Sequence, residues 1–325
     1  MGISAAVGSL AFKPGVCTST TRPAAPFEGQ LIYETDTNQA AVWDGSYWLY
    51  MGPGENRNIL YNGAMQVAQR GTSTASISSA SQVYYTADRW ATAVSTLGTW
   101  TQSVENDAPT GSGFRKSLKM LCTTADASPV TTDVLTISQF LEGQDCQAIR
   151  KGTSSAQQMT ISFWVKSNVT GTYNVELNDN DNGRFYSKAY TISASATWEF
   201  KTVTVPADTT GALDNDAERS FSIRFWLASG PSYTTGSPVS GWVSTSANLT
   251  SLAPSQTNLA AATNNYWQVT GVQLNVGAVA APFEFKSFGR ELRECQRYYE
   301  KTYDVTTVPG TNVVAGCRGV GGPDS

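Results

Sequence analysis

The stretch Asn58-Ile-Leu-Tyr-Asn-Gly-Ala-Met-Gln-Val-Ala-Gln-Arg70 decides how the rest of the chain is read. Its apolar opening, Ile59 to Tyr61, is expected to form a strand. Asn62-Gly63 is a turn pair that readily takes positive φ. The residues before Asn58 are too few to make a large core. From Asn58 to Phe285 the chain reads as one continuous series of strands, so Asn58 is taken as the first residue of the main domain.

The strand reading rests on period-2 alternation. In Thr160–Lys166, Ile161, Phe163 and Val165 share one face, and Ser162, Trp164 and Lys166 the other. Tyr173, Val175 and Leu177 form a second buried face. Phe221, Ile223, Phe225 and Leu227 form a third, leaving Ser222, Arg224 and Trp226 outside. In Trp267–Val276 the phase changes near Gly271, which predicts a β-bulge. Trp198–Val205 changes phase similarly after Phe200. Turn-rich segments separate these strands, and an antiparallel sandwich satisfies the pattern because each sheet keeps one wet face.

The flanks differ from this core. Residues 1–26 read as an irregular, extended arm rich in Ala, Gly, Ser, Thr and Pro. Strands over Gln30–Glu34, Ala40–Trp43 and Tyr47–Met51, with Asp44-Gly45 as a hairpin turn, make a small β-meander. Its aromatics, Tyr33, Trp43, Tyr47, Trp48 and Tyr50, imply a partner surface. Residues 52–56 are a Pro-Gly linker. After the sandwich, Ser287 caps a short amphipathic helix with Leu292, Cys295, Tyr299 and Tyr303 on one stripe, which also calls for a partner. The organisation expected is therefore 1–57 arm and meander, 58–287 sandwich, and 288–325 helix and Gly-rich tail.

Composition excludes several functions. Of the 325 residues, 40% are hydrophobic and 15% charged, against roughly 25% charged in ordinary domains. A net charge of −4 without basic clusters argues against nucleic-acid binding. No apolar run approaches the ~20 residues needed to span a bilayer, and no basic residue precedes Lys13, so neither membrane insertion nor a secretory leader is expected. The chain has no histidine and five widely spaced cysteines, Cys17, Cys122, Cys146, Cys295 and Cys317. Histidine-based catalysis and histidine metal sites are excluded, separate thiols are expected, and no cofactor or metal is called for.

In their order, several motifs resemble a family. They are Asn58 to Gln66, Ala87-Asp-Arg-Trp90, Ser117-Leu118, Ile161-Ser-Phe-Trp-Val-Lys166, Trp198, and Trp267-Gln-Val-Thr-Gly-Val-Gln-Leu274. Together they resemble the jelly-roll sandwich of carbohydrate-binding modules. Pro282-Phe-Glu-Phe285 and Cys295-Gln-Arg-Tyr-Tyr299 are similar to the variant carried by bacteriophage tail fibres and other virion proteins. Glu28-Gly-Gln-Leu-Ile-Tyr-Glu-Thr-Asp36 with Val42-Trp-Asp-Gly45 is similar to virion-attachment repeats. The resemblance implies a structural, non-enzymatic virion protein, assembled in the host cytoplasm and exposed on the particle. It implies a homotrimeric fibre bound to other virion proteins through its N-terminal region, with sister chains covering the meander and the helical stripe. A sandwich facing outward would adhere to host surface polysaccharide. An architectural head or neck protein without glycan binding is the alternative, and a polysaccharide depolymerase the second.

Trp164 and Trp226, with Lys166 and Arg224 on their faces, are the candidate binding residues. On neighbouring strands the two indoles would form a platform for a sugar ring. They equally suit packing under a loop or in a subunit interface, the commoner fate of such residues. Asn178-Asp-Asn-Asp-Asn-Gly183 has the look of a calcium loop, but Ala189 stands where a bidentate Glu is needed, which favours a hairpin turn. Asp88-Arg89 reads as a local ion pair, of little weight if exposed. Glu142 with Asp145, or Asp179 with Asp181, are the carboxylates a glycosidase pair would draw on.

Overall fold

Short runs of β-branched and aromatic residues, broken by Gly, Asn and Ser, suit a pleated and half-buried backbone. The structure, a computed structural model, accordingly consists almost wholly of strands; it describes residues 14–36, 39–45, 48–51, 58–302, 304–305 and 307–308. Contacts divide the chain into two units, Met1–Arg57 and Asn58–Ser325.

The first unit is a four-stranded sheet of β1 (Gly15–Cys17), β2 (Leu31–Glu34), β3 (Gln39–Trp43) and β4 (Trp48–Tyr50), in that order. The meander is as read, but β1 corrects the expectation of an irregular arm over 1–26. It pairs in parallel with β2, Val16 opposite Tyr33, covering an edge that would otherwise expose unpaired backbone groups. Ile32 and Ala41 are buried, and Glu34, also buried, pairs with Arg22. Trp43 and Trp48 face each other across β3 and β4 with ring centroids 5.5 Å apart. Tyr47 lies outside the described residues.

The second unit opens with β5 (Ser73–Ile77), β6 (Ala80–Tyr84), β7 (Ala91–Ser95), β8 (Thr99–Glu105), β9 (Ser117–Thr124) and β10 (Val134–Glu142). It continues with β11 (Met159–Ser167), β12 (Gly171–Asp179), β13 (Arg184–Ile192), β14 (Glu199–Val205) and β15 (Arg219–Ser229). The short helix α1 (Pro231–Thr234) precedes β16 (Val243–Ser244), β17 (Tyr266–Val276) and helix α2 (Phe288–Gln296). The strands form an antiparallel jelly-roll sandwich. One sheet is seven-stranded, ordered β16-β13-β12-β15-β10-β7-β6; the other is six-stranded, ordered β14-β11-β17-β9-β8-β5. The faces read from alternation meet between the sheets. Phe163 on β11 packs edge-on against Phe225 on β15 at 5.0 Å, and Phe225 lies 5.4 Å from Trp267 on β17. The buried indoles of Trp90, Trp100 and Trp267 each donate to an oxygen, so the aromatic core leaves none of these N–H groups unpaired.

Three local readings are refined. The bulge near Gly271 is present: the β11–β17 register shifts between Ser162 and Trp164, and Gly271, at φ 60°, leaves room for Phe114, which a Cβ would meet at 2.5 Å. In β14, by contrast, the register to β11 runs unbroken from Glu199 to Val205. Ile59–Tyr61 is not a strand. The segment is buried but irregular, because the Asn58 side chain substitutes for a ladder: it donates to Val272 O (3.0 Å) and accepts from Leu60 N and Leu274 N (3.0 Å each). Asn62 does take positive φ (51°), whereas Gly63 is required for space, a Cβ there falling 2.0 Å from Val272 O.

Helix α2 covers less of the chain than expected, ending at Gln296, and its stripe is not left for a sister chain. Cys295 is buried against its own sandwich, and the buried Glu291 carboxylate accepts from Asn62 N–H. The Arg89 guanidinium lies 3.3 Å from the Tyr298 ring centroid, and that of Arg70 lies 3.6 Å from Tyr299. Asp88 and Arg89 therefore do not pair with each other. Asp88 is buried, paired with Arg70 at 3.4 Å and with Gln69 at 2.5 Å. Tyr303 and Cys317 lie outside the described residues, and the four described cysteines are free thiols.

Candidate functional site

The four residues singled out from sequence fall on two different sheets. Arg224 and Trp226 are on β15, in the seven-stranded sheet, and Trp164 and Lys166 are on β11, in the six-stranded one. Alternation placed each correctly on an outward face. Since the inner faces pack together, the two indoles point to opposite sides of the sandwich and make no common platform.

Trp226 is itself buried, 1% exposed. The segment between β15 and β17 folds back over one half of the seven-stranded sheet's outer face. It packs Tyr233 against the Trp226 ring (5.2 Å) and places Leu252 and Ala253 with Trp226 and Phe185 in a second small core. Ser187 Oγ donates to Leu252 O (2.6 Å) and Asn174 Nδ2 to Pro254 O (3.1 Å), fastening the cover. Trp226 is thus packed under a loop.

The other half of that face stays partly open. Its centre is Glu176 on β12, fully buried, whose carboxylate accepts from Trp226 Nε1 (2.8 Å), Asn178 Nδ2 (3.0 Å) and Arg224 Nη1 (3.2 Å). The Arg224 side chain keeps 20% of its surface exposed. Beside it Arg219, at the start of β15, lies over the Phe140 ring at 3.8 Å and donates from Nη1 to Gln82 Oε1 (2.7 Å). Its buried Nε has no partner. Burial first, and the neighbouring Arg224 guanidinium second, pull the Arg219 pKa below its ordinary value. Small residues surround this group, with Ser138 on β10 opposite Arg224 and Ser222 opposite both Phe140 and Asn178.

On the six-stranded sheet Lys166 is bonded to Asp107 and lies 5.0 Å from the Trp198 ring. Trp198 Nε1 and Gln268 Nε2 also donate to Asp107, each at 3.2 Å. Burial opposes ionisation of that carboxyl, but these donors prevail and hold its pKa below the usual carboxylate value. Lys166 is therefore committed to a local network. Trp164 leans on Phe200 (5.3 Å), which is 48% exposed, so an aromatic pair remains at the surface there.

The remaining carboxylates are occupied. Glu142 is held by Arg297 (2.7 Å), and Asp145 accepts from Tyr61 Oη (2.6 Å). Residues 180–183 form the β12–β13 hairpin turn, with Asn178 and Asp179 closing β12; there buried Lys151 takes up the Asp179 carboxylate and Asn182 donates to it from backbone and side chain (3.0 Å each). Asp181 accepts from Asp214 N (3.0 Å). Among the described residues no group of three or more Cys, Asp or Glu is placed to hold a metal. A cleft of about 450 Å³ opens between β13 and β14, lined by Tyr186, Lys188, Tyr190, Lys201 and Thr202 among others. There Lys201 is held by Glu199 (2.6 Å), and Tyr190 Oη accepts from Trp267 (3.2 Å).

Glu176, Arg219 and Phe140 were missed from sequence, and Asn178 was read only as the start of the loop motif. Glu176 and Asn178 were within reach: they alternate with Val175 and Leu177, the same signal that singled out Trp164. Arg219 had none, since it stands at the edge of a turn-rich segment.

No protein-family model matches the chain, and no curated protein matches it in sequence. Solved structures similar to it include the enzymatically active domain of bacteriophage CBA120 tailspike protein 4, at 13% identity and a TM-score of 0.36, covering 68% of this chain and 21% of that one. A sugar-binding protein of Bacteroides thetaiotaomicron, so described provisionally, is 10% identical with a TM-score of 0.36, over 68% and 100% of the two chains. The CBM22-1 xylan-binding domain of Paenibacillus barcinonensis Xyn10C is 10% identical with a TM-score of 0.31, over 70% and 100%. At these values none of them decides a ligand or a role for this chain.

Proposed function

We propose that the chain is a structural protein of a phage virion whose sandwich adheres to host surface glycan through the open half of the seven-stranded sheet. The observation that carries the reading is the cluster on that face: Arg224 anchored by buried Glu176, Arg219 stacked on Phe140, and Asn178 beside them. Sugars are bound by fixed donors and acceptors set beside an apolar ring, which is what this cluster supplies. Pre-organisation through Glu176 reduces the cost of ordering Arg224 on binding. In this reading the protein is a homotrimeric fibre, its first unit attaches to other virion proteins, and weak binding by each sandwich is raised by avidity. It acts without catalysis or cofactor. Binding of the full chain to immobilised host polysaccharide tests the reading. Arg224→Ala combined with Arg219→Ala is expected to weaken it about tenfold or more. Undiminished binding by that variant would refute it.

The exposed Trp164–Phe200 pair favours a second, architectural reading, in which this surface is buried by a neighbouring subunit and no glycan is bound. Phe200→Asp would then lower the mass measured by sedimentation. A depolymerase is the third reading, established if host polysaccharide is shortened on incubation with the pure protein.

A further inference from the structure

We propose that the cleft between β13 and β14 is a second binding site, for an acidic saccharide whose anionic group pairs with Lys188. It lies apart from the face built on Glu176 and does not rest on the reading of that face. Lys188 breaks the alternation of its own strand. In the β12–β13 ladder it stands opposite Val175, between Tyr186 opposite Leu177 and Tyr190 opposite Tyr173. Those neighbours are all buried in the core, so Lys188 occupies an inward position, yet it is exposed. Lys201 repeats this on β14, opposite the core residue Phe163 and two positions before buried Val203. Period 2 would place apolar side chains at both positions if the sheets met there. Instead the two sheet edges part, and the cleft of about 450 Å³ opens between them with both lysines in its lining. Small-ligand sites occupy roughly 300–1,000 Å³.

Charge in the cleft is one-sided, because no carboxylate lines it. Glu199 is spent on Lys201 (2.6 Å) and on the backbone N–H groups of Ser193 and Ala194 (2.8 Å each). Lys188 has no hydrogen bond or ion pair among the described residues. Both flanking edges are open: β14 pairs only with β11, and beyond β12 the β13 strand pairs only at Arg184 and Phe185. The cleft therefore offers backbone donors and acceptors, the exposed Thr191 and Thr202, and the rings of Tyr186 and Tyr190. Polar groups beside rings suit a sugar, and an ammonium without a counter-charge selects an acidic one. An inward lysine also discourages other chains from adding to a free edge, but that role requires the charge and not the cleft.

Isothermal titration of the full chain with trigalacturonate, its methyl ester, a sulfated trisaccharide and hexaglutamate tests this. Trigalacturonate or the sulfated sugar is expected to bind roughly tenfold more tightly than the uncharged ester. Lys188→Gln should erase that difference and Lys188→Arg should retain it, with melting temperatures equal to the parent's excluding misfolding. An acid preference that survives Lys188→Gln would overturn the assignment to this cleft and leave the glycan reading of the other face to its own test. If that variant also self-associates in sedimentation, the lysine is an edge guard and the site is refuted. Hexaglutamate binding as tightly as the acidic sugar would overturn the saccharide assignment. Acid and ester binding alike, or neither acidic sugar binding, would overturn the inference.

Discussion

Replacing Lys151 by Met should destabilise the sandwich more than most single substitutions. The Lys151 Nζ is fully buried, where it pairs with Asp179 and with Asp208 (3.0 Å) and donates to the carbonyls of Thr210 (2.8 Å) and Gly211 (3.0 Å). Methionine fills the same space but leaves those acceptors behind. Asp208 keeps Arg184 at 2.9 and 3.1 Å, so its loss is partial. Asp179 keeps only its bonds from Asn182 and becomes a buried, uncompensated charge. Breaking a buried pair in this way costs about 3–5 kcal/mol. At roughly 2–4 °C per kcal/mol for a domain of this size, the melting temperature should fall by roughly 6–20 °C. The double variant Lys151→Met/Asp179→Leu should recover more than half of that, since an apolar pair of similar volume commonly replaces a buried ion pair without loss. Calorimetry of the single and double variants provides the test. A single variant within about 1 kcal/mol of the parent, or a double variant no more stable than the single, would show that the pair does not hold the hairpin.

The two tryptophans should behave oppositely when truncated: Trp226→Ala is expected to cost about 3–5 kcal/mol in urea denaturation and Trp164→Ala about 1 kcal/mol, equal losses refuting the buried placement. Gly143→Ala should prevent folding or lower the melting temperature sharply, because the added Cβ would lie 1.8 Å from Asp214 O; a soluble variant with the parent's melting curve would contradict that packing. Stability should peak at mildly acidic pH. Burial raises the folded-state pKa of Glu291 and Asp88, so their native forms bind more protons than the unfolded chain, and stability falls as pH rises from ordinary carboxylate values through the raised ones. Asp107, Glu142, Glu199 and Asp208 are lowered, their donors outweighing burial, so their contribution is lost as pH falls through those depressed values. Melting temperature against pH reads both limbs, and Glu291→Gln should flatten the upper one.

Alternation along β11, β12 and β15 was enough to assign the inner and outer faces of each strand, because a sandwich core enforces period 2. It says nothing about which sheet a strand joins. That depends on crossovers: β15 lies between β12 and β10, and β11 between β14 and β17, so two outward tryptophans with the same local pattern end on opposite sides of the molecule. Nor does alternation reveal a cover. The segment over Trp226 runs from Gly230 through short turns and helical pieces with no period of its own, and it buries an indole that its own strand marks as exposed.

The motifs at Asn58–Gln66, Ala87–Trp90 and Cys295–Tyr299 meet in one place, away from the four candidate residues. Asn62 bonds the carbonyls of Val67 (2.8 Å) and Asp88 (2.9 Å), accepts the Trp90 indole N–H on its own carbonyl (3.1 Å), and offers its backbone N–H to Glu291. Arg89 and Arg70 stack on the two tyrosines that follow α2, and Gln69 donates to Tyr299 O (2.8 Å). These residues hold the chain's end against the start of the sandwich, and each is specified by a partner inside the same chain. Their order therefore reports the fold. The face built from Glu176, Arg219 and Arg224 carries no such motif, and a buried, unpaired guanidinium Nε occurs in both places, at Arg219 here and at Arg89 there. An unpaired Nε common to both places is no guide to a ligand, and this face is picked out instead by the Arg219 guanidinium over Phe140 and by Arg224 anchored on Glu176.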